Sequence, residues 1–220
     1  DSASIGLGQF AHAMRRGVRM AYIVENNGVY GLTKGQFSAT ADQGSKSKKG
    51  VVNNDAAVDL VAMALQRGAT YVARGFSGDK TQLVPLIEGA IRHGGAAFID
   101  VISPCVTFNN HGGSTKSYDY VRQHNEAVSR IDFISPGSEI TTSYAPGERV
   151  DVAQHDGSIL RLRKLHDGYD PTDRHAALEH MHRHAAQGEV VTGLLYIDPL
   201  ATDLHCAMNT AAAPLASLGP

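Results

Sequence analysis

The sequence predicts an α/β fold, a parallel sheet flanked by helices, followed by a C-terminal extension. Three observations predict it. Short, strongly apolar runs such as Met20-Ala21-Tyr22-Ile23-Val24 and Ala96 to Ile102 have the length of buried strands. Between them lie longer stretches whose apolar residues recur at helical spacing, closed by glycine. Helix and strand alternate through the first half of the chain, the pattern of parallel strands joined by covering helices.

The first element is a helix from Ile5 to Arg16. Ile5, Phe10, Ala11 and Met14 share one face, and Arg15 and Arg16 sit near the end where the helix dipole favours cations. A strand from Arg19 to Val24 follows, then a loop rich in amides and glycine, Glu25-Asn26-Asn27-Gly28-Val29-Tyr30-Gly31-Leu32-Thr33-Lys34-Gly35-Gln36. From Phe37 to Val51 the chain is polar and aperiodic, a mobile loop that a ligand or partner would order. Its Lys46, Lys48 and Lys49 read as solvated, with anion binding as the lesser alternative.

Asp55 is the predicted N-cap of a helix from Ala56 to Gln66, closed by Gly68 and striped by Val58, Val61, Ala62 and Leu65. Tyr71-Val72-Ala73 reads as a strand, Lys80 to His93 as a helix ended at Gly94-Gly95, and Ala96 to Ile102 as a strand leading into Ser103-Pro104-Cys105. After Phe108 the character changes. Residues 109–115 read as loop and Tyr118 to Ser129 as a helix. Val150 to Gln154 and Ser158 to Leu162 form a predicted hairpin turning at Asp156-Gly157. A polar helix from Arg174 to Gln187, a strand from Gly193 to Ile197 and an extended tail with Pro214 and Pro220 complete the chain. The expected division is a domain over residues 1–115 and an extension over 116–220.

Several function classes are excluded at this level. Twenty Lys and Arg against 22 Asp and Glu leave no basic footprint for nucleic acid. No apolar run is long enough to span a membrane. Two distant cysteines, Cys105 and Cys206, imply no disulfide framework, which suits a reducing cytoplasm, and Cys206 reads as a packing residue. The chain opens on Asp1-Ser2-Ala3-Ser4 without an initiator methionine and reads as a fragment. His180, His182 and His184 lie on one helix, but no third ligand accompanies them, so a solvated helix is the expectation.

Two readings of the amino-terminal third compete. Gly6-Leu7-Gly8-Gln9-Phe10-Ala11 fits the dinucleotide pattern G-x-G-x-x-A, and Glu25 ends the next strand near the spacing of a ribose-binding acid. That would make an NAD-binding unit, and it leaves the amide-glycine string unexplained. In the second reading the string itself is the site. Asn27 offers a neutral oxygen suited to Mg²⁺, glycines admit close backbone approach, and Lys34 adds a lone cation.

Asp1 to Gln36, with the string from Asn26 to Gln36 as its core, resembles the β subunit of 2-oxoacid:ferredoxin oxidoreductases, and Lys34-Gly35-Gln36 is most similar to the 2-oxoglutarate type. Ser103-Pro104-Cys105-Val106-Thr107-Phe108-Asn109 resembles a second signature of that family. The resemblance implies a thiamine diphosphate-binding fold. It implies that Mg²⁺ is held by the Asn27 side chain and the Val29 carbonyl, and that a further aspartate ligand would precede Asp1. Asp1, Ser2, Ser4, Ile5, Tyr30, Gly31, Leu32 and Thr33 would contact the cofactor, and Lys34 would meet the substrate carboxylate. Cys105 would be one of four thiolates on a [4Fe–4S] cluster, the other three lying outside this sequence. The implied partners are an α subunit, which would carry the glutamate that activates the thiamine ring, ferredoxin, a 2-oxoacid and coenzyme A. A non-catalytic remnant of the fold, kept as an interaction module, is the remaining alternative.

Overall fold

The computed structural model describes all residues except Asp1, Leu32, Lys34, Lys48, Lys49, 106–138, 155–158, 209–212 and 214–220. The predicted helix at 118–129, the turn at Asp156-Gly157, most of the C-terminal tail and the expected domain boundary therefore lie outside the described residues.

Helix α1 spans Leu7–Arg16 and stops at Gly17, whose φ of 64° allows a left-handed cap donating to the Met14 carbonyl. It starts later than the pattern predicted, because Ile5 lies in a turn and is 82% exposed. Strand β1 (Met20–Asn26) runs past the predicted end at Val24 and delivers the first amide as its last residue. The chain then makes a two-stranded ribbon, β2 (Val29–Tyr30) against β3 (Gln36–Phe37). Between β3 and the next helix the polar stretch is organised by turns and by buried Asn53. The Asn53 amide donates to the carbonyls of Ala41, Asp42 and Asp55.

Asp59, not Asp55, caps the next helix. Helix α2 covers Leu60–Gln66, and the Asp59 carboxylate accepts from the amides of Val61 and Ala62 at 2.9 and 3.1 Å. Its first buried residue is Leu60, so the helix begins where burial begins. Strand β4 (Tyr71–Phe76) is buried throughout and twice as long as the apolar triplet suggested. Helix α3 (Lys80–Arg92) leads to strand β5 (Ala96–Ile102). Beyond residue 138 come β6 (Arg149–Ala153), β7 (Ile159–Lys164), helix α4 (Arg174–Ala185), β8 (Val190–Ile197) and a short α5 (Leu204–Ala207).

All the main strands join one six-stranded sheet in the order β1-β5-β4-β8-β7-β6. The expected parallel core is β1, β5 and β4. The C-terminal strands do not stand apart but extend it: β8 lies antiparallel to β4, β7 parallel to β8, and the hairpin partner β6 antiparallel to β7. The sheet is therefore mixed.

Strand alternation sorts the core into two layers. Val72, Ala96 and Phe98 face Phe10 and Met14 of α1, Leu60 to Leu65 of α2, and Ala177 and Met181 of α4. Tyr71, Ala73, Ala97 and Ile99 face Leu86 and Ala90 of α3. Phe10 meets Tyr22 edge-on at 5.3 Å and Phe98 at 4.9 Å, which pins α1 over β1 and β5. The polar helix predicted near the C terminus is half a core element. Asp173 caps it, accepting from His175 and Ala176 at 2.8 and 3.0 Å. Asp173→Ala is expected to cost about 1 kcal/mol in urea denaturation; an unchanged midpoint would show that packing alone sets this helix start.

Candidate functional site

A cavity of about 600 Å³ opens along one end of the sheet. It lies at the carboxyl ends of β1, β5 and β4 and the amino ends of β7 and β8, because β8 reverses direction against β4. In parallel α/β sheets this end is where ligands bind. One wall is Asn26, Asn27, Gly28 and Val29, the floor holds Asp59, Arg74 and Asp100, and the opposite wall is Met181, Glu189 and Val191.

The amide wall is built by a tight turn. The Asn27 side-chain oxygen accepts from the Val29 amide at 3.0 Å. Gly28 supplies φ of 69° between them, and a Cβ there would sit 3.6 Å from Ala41 Cα. The Gly28 carbonyl accepts from Ser38 N at 2.9 Å, so the turn is backed by residues 38–41. Asn26 is held at both ends of its amide: Nδ2 donates to Asp100 Oδ1 at 3.0 Å, and Oδ1 accepts from Thr40 Oγ1 at 2.7 Å.

The floor is a charge network, buried at Arg74 and Asp100, that sequence reasoning missed. Arg74 and Asp100 are register partners on β4 and β5. Arg74 Nε donates to Asp100 Oδ2 at 2.9 Å, and Nη2 to Asp59 Oδ1 at 2.7 Å. Burial alone would lower the Arg74 pKa, but Asp59 and Asp100 outweigh it and hold the charge above its ordinary value. The available signal was one opposite charge inside each of two apolar runs, Arg74 and Asp100.

On the far wall Glu189 is buried and accepts from His184 Nδ1 at 2.8 Å and Arg149 at 3.3 Å. Burial opposes its ionisation, yet His184, Arg149 and nearby Arg163 hold its carboxyl below the usual range. His184 is buried, which corrects the expectation of a solvated helix. Burial, then His184 and Arg183, push His180 down from 6.5 to about 4. The unfolded chain therefore takes up this proton first, and stability is expected to fall as pH drops from about 6.5 to about 4. Glu189 adds a further loss below its ordinary 4.5. Denaturation midpoints across this range should show a shallower slope in His180→Asn; an identical slope would remove His180 from the account. Among the described residues no cluster of His, Cys, Asp and Glu could hold a metal ion.

The structure brings Asn27, Val29 and Cys105 to the cavity lining. The other described candidates do not line it. Ser2 Oγ pairs with the Tyr22 hydroxyl at 3.0 Å, and Ser4 Oγ accepts from Ala39 N at 3.2 Å. Ile5 points to solvent, Tyr30 accepts through its carbonyl from Gly35 N at 3.0 Å, Gly31 is exposed, and Thr33 donates to Gln36 at 2.8 Å. Asp1, Leu32 and Lys34 lie outside the described residues.

The donor set at the turn suits a hard divalent cation: Asn27 lines the cavity with a neutral amide oxygen, and the hydrogen bond from the Val29 amide leaves that oxygen a second lone pair. An iron–sulfur cluster is different. It needs four thiolates, and Cys105 is the single cysteine on the cavity; Cys206, exposed rather than packed, does not line it. These residues alone do not furnish a cluster.

Residues 1–101 match the family described as thiamine pyrophosphate enzyme, C-terminal TPP binding domain. This finding displaces the dinucleotide reading of Gly6, Gly8 and Glu25. Residues 2–6 form turns rather than the strand that reading needs, and Glu25 is exposed on the edge strand β1. The 2-oxoacid:ferredoxin oxidoreductase subunit beta of Saccharolobus solfataricus is 47% identical over 113 residues, covering 50% of this chain and 36% of that protein. The 2-oxoglutarate synthase subunit KorB of Methanocaldococcus jannaschii is 41% identical over 171 residues, covering 75% and 62%. A solved structure, the 2-oxoglutarate:ferredoxin oxidoreductase from Magnetococcus marinus with 2-oxoglutarate, coenzyme A and succinyl-CoA bound, is similar at a TM-score of 0.64 and 25% identity, over 98% of this chain and 62% of that one. The chain thus spans 36% to 62% of these relatives' lengths. No helix among the described residues is long and apolar enough to cross a membrane. Residues 1–101 are therefore similar to thiamine pyrophosphate-binding domains, and the chain that carries them is similar to the β subunits of 2-oxoacid:ferredoxin oxidoreductases.

Proposed function

We propose that this chain belongs to the β side of a cytoplasmic 2-oxoacid:ferredoxin oxidoreductase acting on 2-oxoglutarate, which forms or consumes its acyl-CoA together with an α subunit. The observation that carries the proposal is the placement of Asn27, Val29 and Cys105 on one cavity at the carboxyl ends of β1 and β5, within or beside the matched domain. Thiamine diphosphate, when bound, supplies the carbanion chemistry of 2-oxoacid decarboxylation. The residues of this chain do the holding. The Asn27 side chain and the Val29 backbone carbonyl would bind Mg²⁺ against the diphosphate. Asp1, Thr33 and the backbone of Ser2, Ser4 and Ile5 would meet phosphate, the last three from the turn that leads into α1, where a helix amino end favours anions. Tyr30, Gly31 and Leu32, of which the first two lie off the cavity wall, would contact the cofactor beyond it. Lys34 would orient the substrate carboxylate as a single cation. Cys105 would contribute one thiolate to a [4Fe–4S] cluster whose other ligands lie outside this sequence, and ferredoxin would be the electron partner of the assembly.

The test is metal, iron and thiamine analysis of the purified native polypeptide with its α partner, and 2-oxoglutarate-dependent, coenzyme A-dependent reduction of ferredoxin by the same sample. Mg²⁺, thiamine diphosphate and turnover together support the proposal. A folded, cofactor-free protein without turnover supports the non-catalytic remnant instead.

A further inference from the structure

We infer that Asp100 and Arg74 are positioning residues for the amide pair, fixing Asn26 and through it the adjoining turn that carries Asn27; this rests on the metal role proposed for Asn27. The geometry is specific. Asp100 is 1% exposed and divides its oxygens, Oδ2 to Arg74 and Oδ1 to Asn26. Arg74 in turn holds Asp59, whose carboxylate also caps α2. Asn26 passes the connection to Thr40, beside the segment that backs Gly28. The wall turn, two central strands and the start of α2 are thereby joined by side chains that all line the same cavity.

Stability does not account for this arrangement. Buried ion pairs are often replaceable by apolar residues at no loss, so a guanidinium between two carboxylates is weak evidence of a stabilising device. The network also engages both ends of the Asn26 amide, which fixes the orientation of the residue that precedes Asn27. Groups one step behind a metal ligand commonly control its affinity by orienting it.

The experiment is Mn²⁺ titration by electron paramagnetic resonance, with thiamine diphosphate present, on the full native polypeptide in its assembly. Asp100→Leu and Asn26→Ala break the same hydrogen bond from opposite sides, the second without stranding a buried charge. Each is expected to weaken Mn²⁺ binding about tenfold to a hundredfold. Asp100→Asn should recover most of the affinity, because Asn26 can flip its amide and Thr40 can accept as well as donate. Leu65→Ala, a core change away from the cavity, should lower stability and leave Mn²⁺ affinity unchanged. Wild-type affinity in Asn26→Ala and Asp100→Leu, or equal weakening in Leu65→Ala, overturns the positioning role alone. A wild-type protein that binds neither Mn²⁺ nor thiamine diphosphate overturns the proposed function and this inference with it.

Discussion

Replacing Arg74 by Met is expected to cost about 3–5 kcal/mol of stability. Arg74 is buried on a strand with no exposed residue, and its partner Asp100 is 1% exposed. Removing the guanidinium strands that carboxylate with a single neutral partner, Asn26 Nδ2. Asp59 suffers less, because its side chain is 40% exposed and keeps its two helix amides. Arg74→Lys should fall between, since one ammonium cannot reproduce a planar fork that reaches two carboxylates. The double change Arg74→Met with Asp100→Leu should regain most of the loss by removing the stranded charge. Urea denaturation of the three variants checks the ordering. A single Arg74→Met change that costs under about 1 kcal/mol would mean that water reaches Asp100 and the floor is not a buried network.

Asn27→Ala is expected to act in the opposite way, abolishing cofactor retention while leaving stability nearly intact. Asn27 is exposed, and the hydrogen bond its side chain accepts closes only a local turn to Val29. Changes behind a metal ligand already cost about 10–100-fold in affinity, so loss of the ligand oxygen itself should weaken Mg²⁺-dependent thiamine diphosphate binding by about 100-fold or more. Asn27→Asp keeps a hard oxygen and should bind. Equilibrium dialysis against thiamine diphosphate at fixed Mg²⁺ measures all three proteins. Unchanged retention in Asn27→Ala would remove the side chain from the metal site.

The two changes separate what was legible in the sequence from what was not. Asn27 and Cys105 could be picked out as candidates because their types and neighbours carry chemistry in one dimension, and both line the cavity. The strand at Ala96–Ile102 and the helix at Lys80–Arg92 were legible because one period dominates each. Arg74 was not. A charge after Tyr71-Val72-Ala73 reads as the end of a strand, and only pairing across to Asp100 makes the longer buried strand affordable in solvation terms. The cap at Asp59 was not legible either: aspartate suits a cap at 55 as well as at 59, and where the helix starts depends on where Leu60 meets the core. The docking of β8 onto β4 was hidden for the same reason: antiparallel pairing between distant segments leaves no local period.

That pairing also bears on how the chain is made. Arg174 of α4 bonds the Leu65 carbonyl across 109 positions of sequence. At a synthesis rate of ~5–20 residues per second, the interval between the two segments is on the order of 5–20 s. Through that time β4 has β5 on one side and no neighbour on the other, although every one of its residues is buried in the finished sheet. An apolar strand with an open edge invites pairing with another chain. A nascent chain stalled before β8 is therefore the form most in need of a chaperone, and truncation upstream of Val190 should yield aggregates rather than a smaller folded domain.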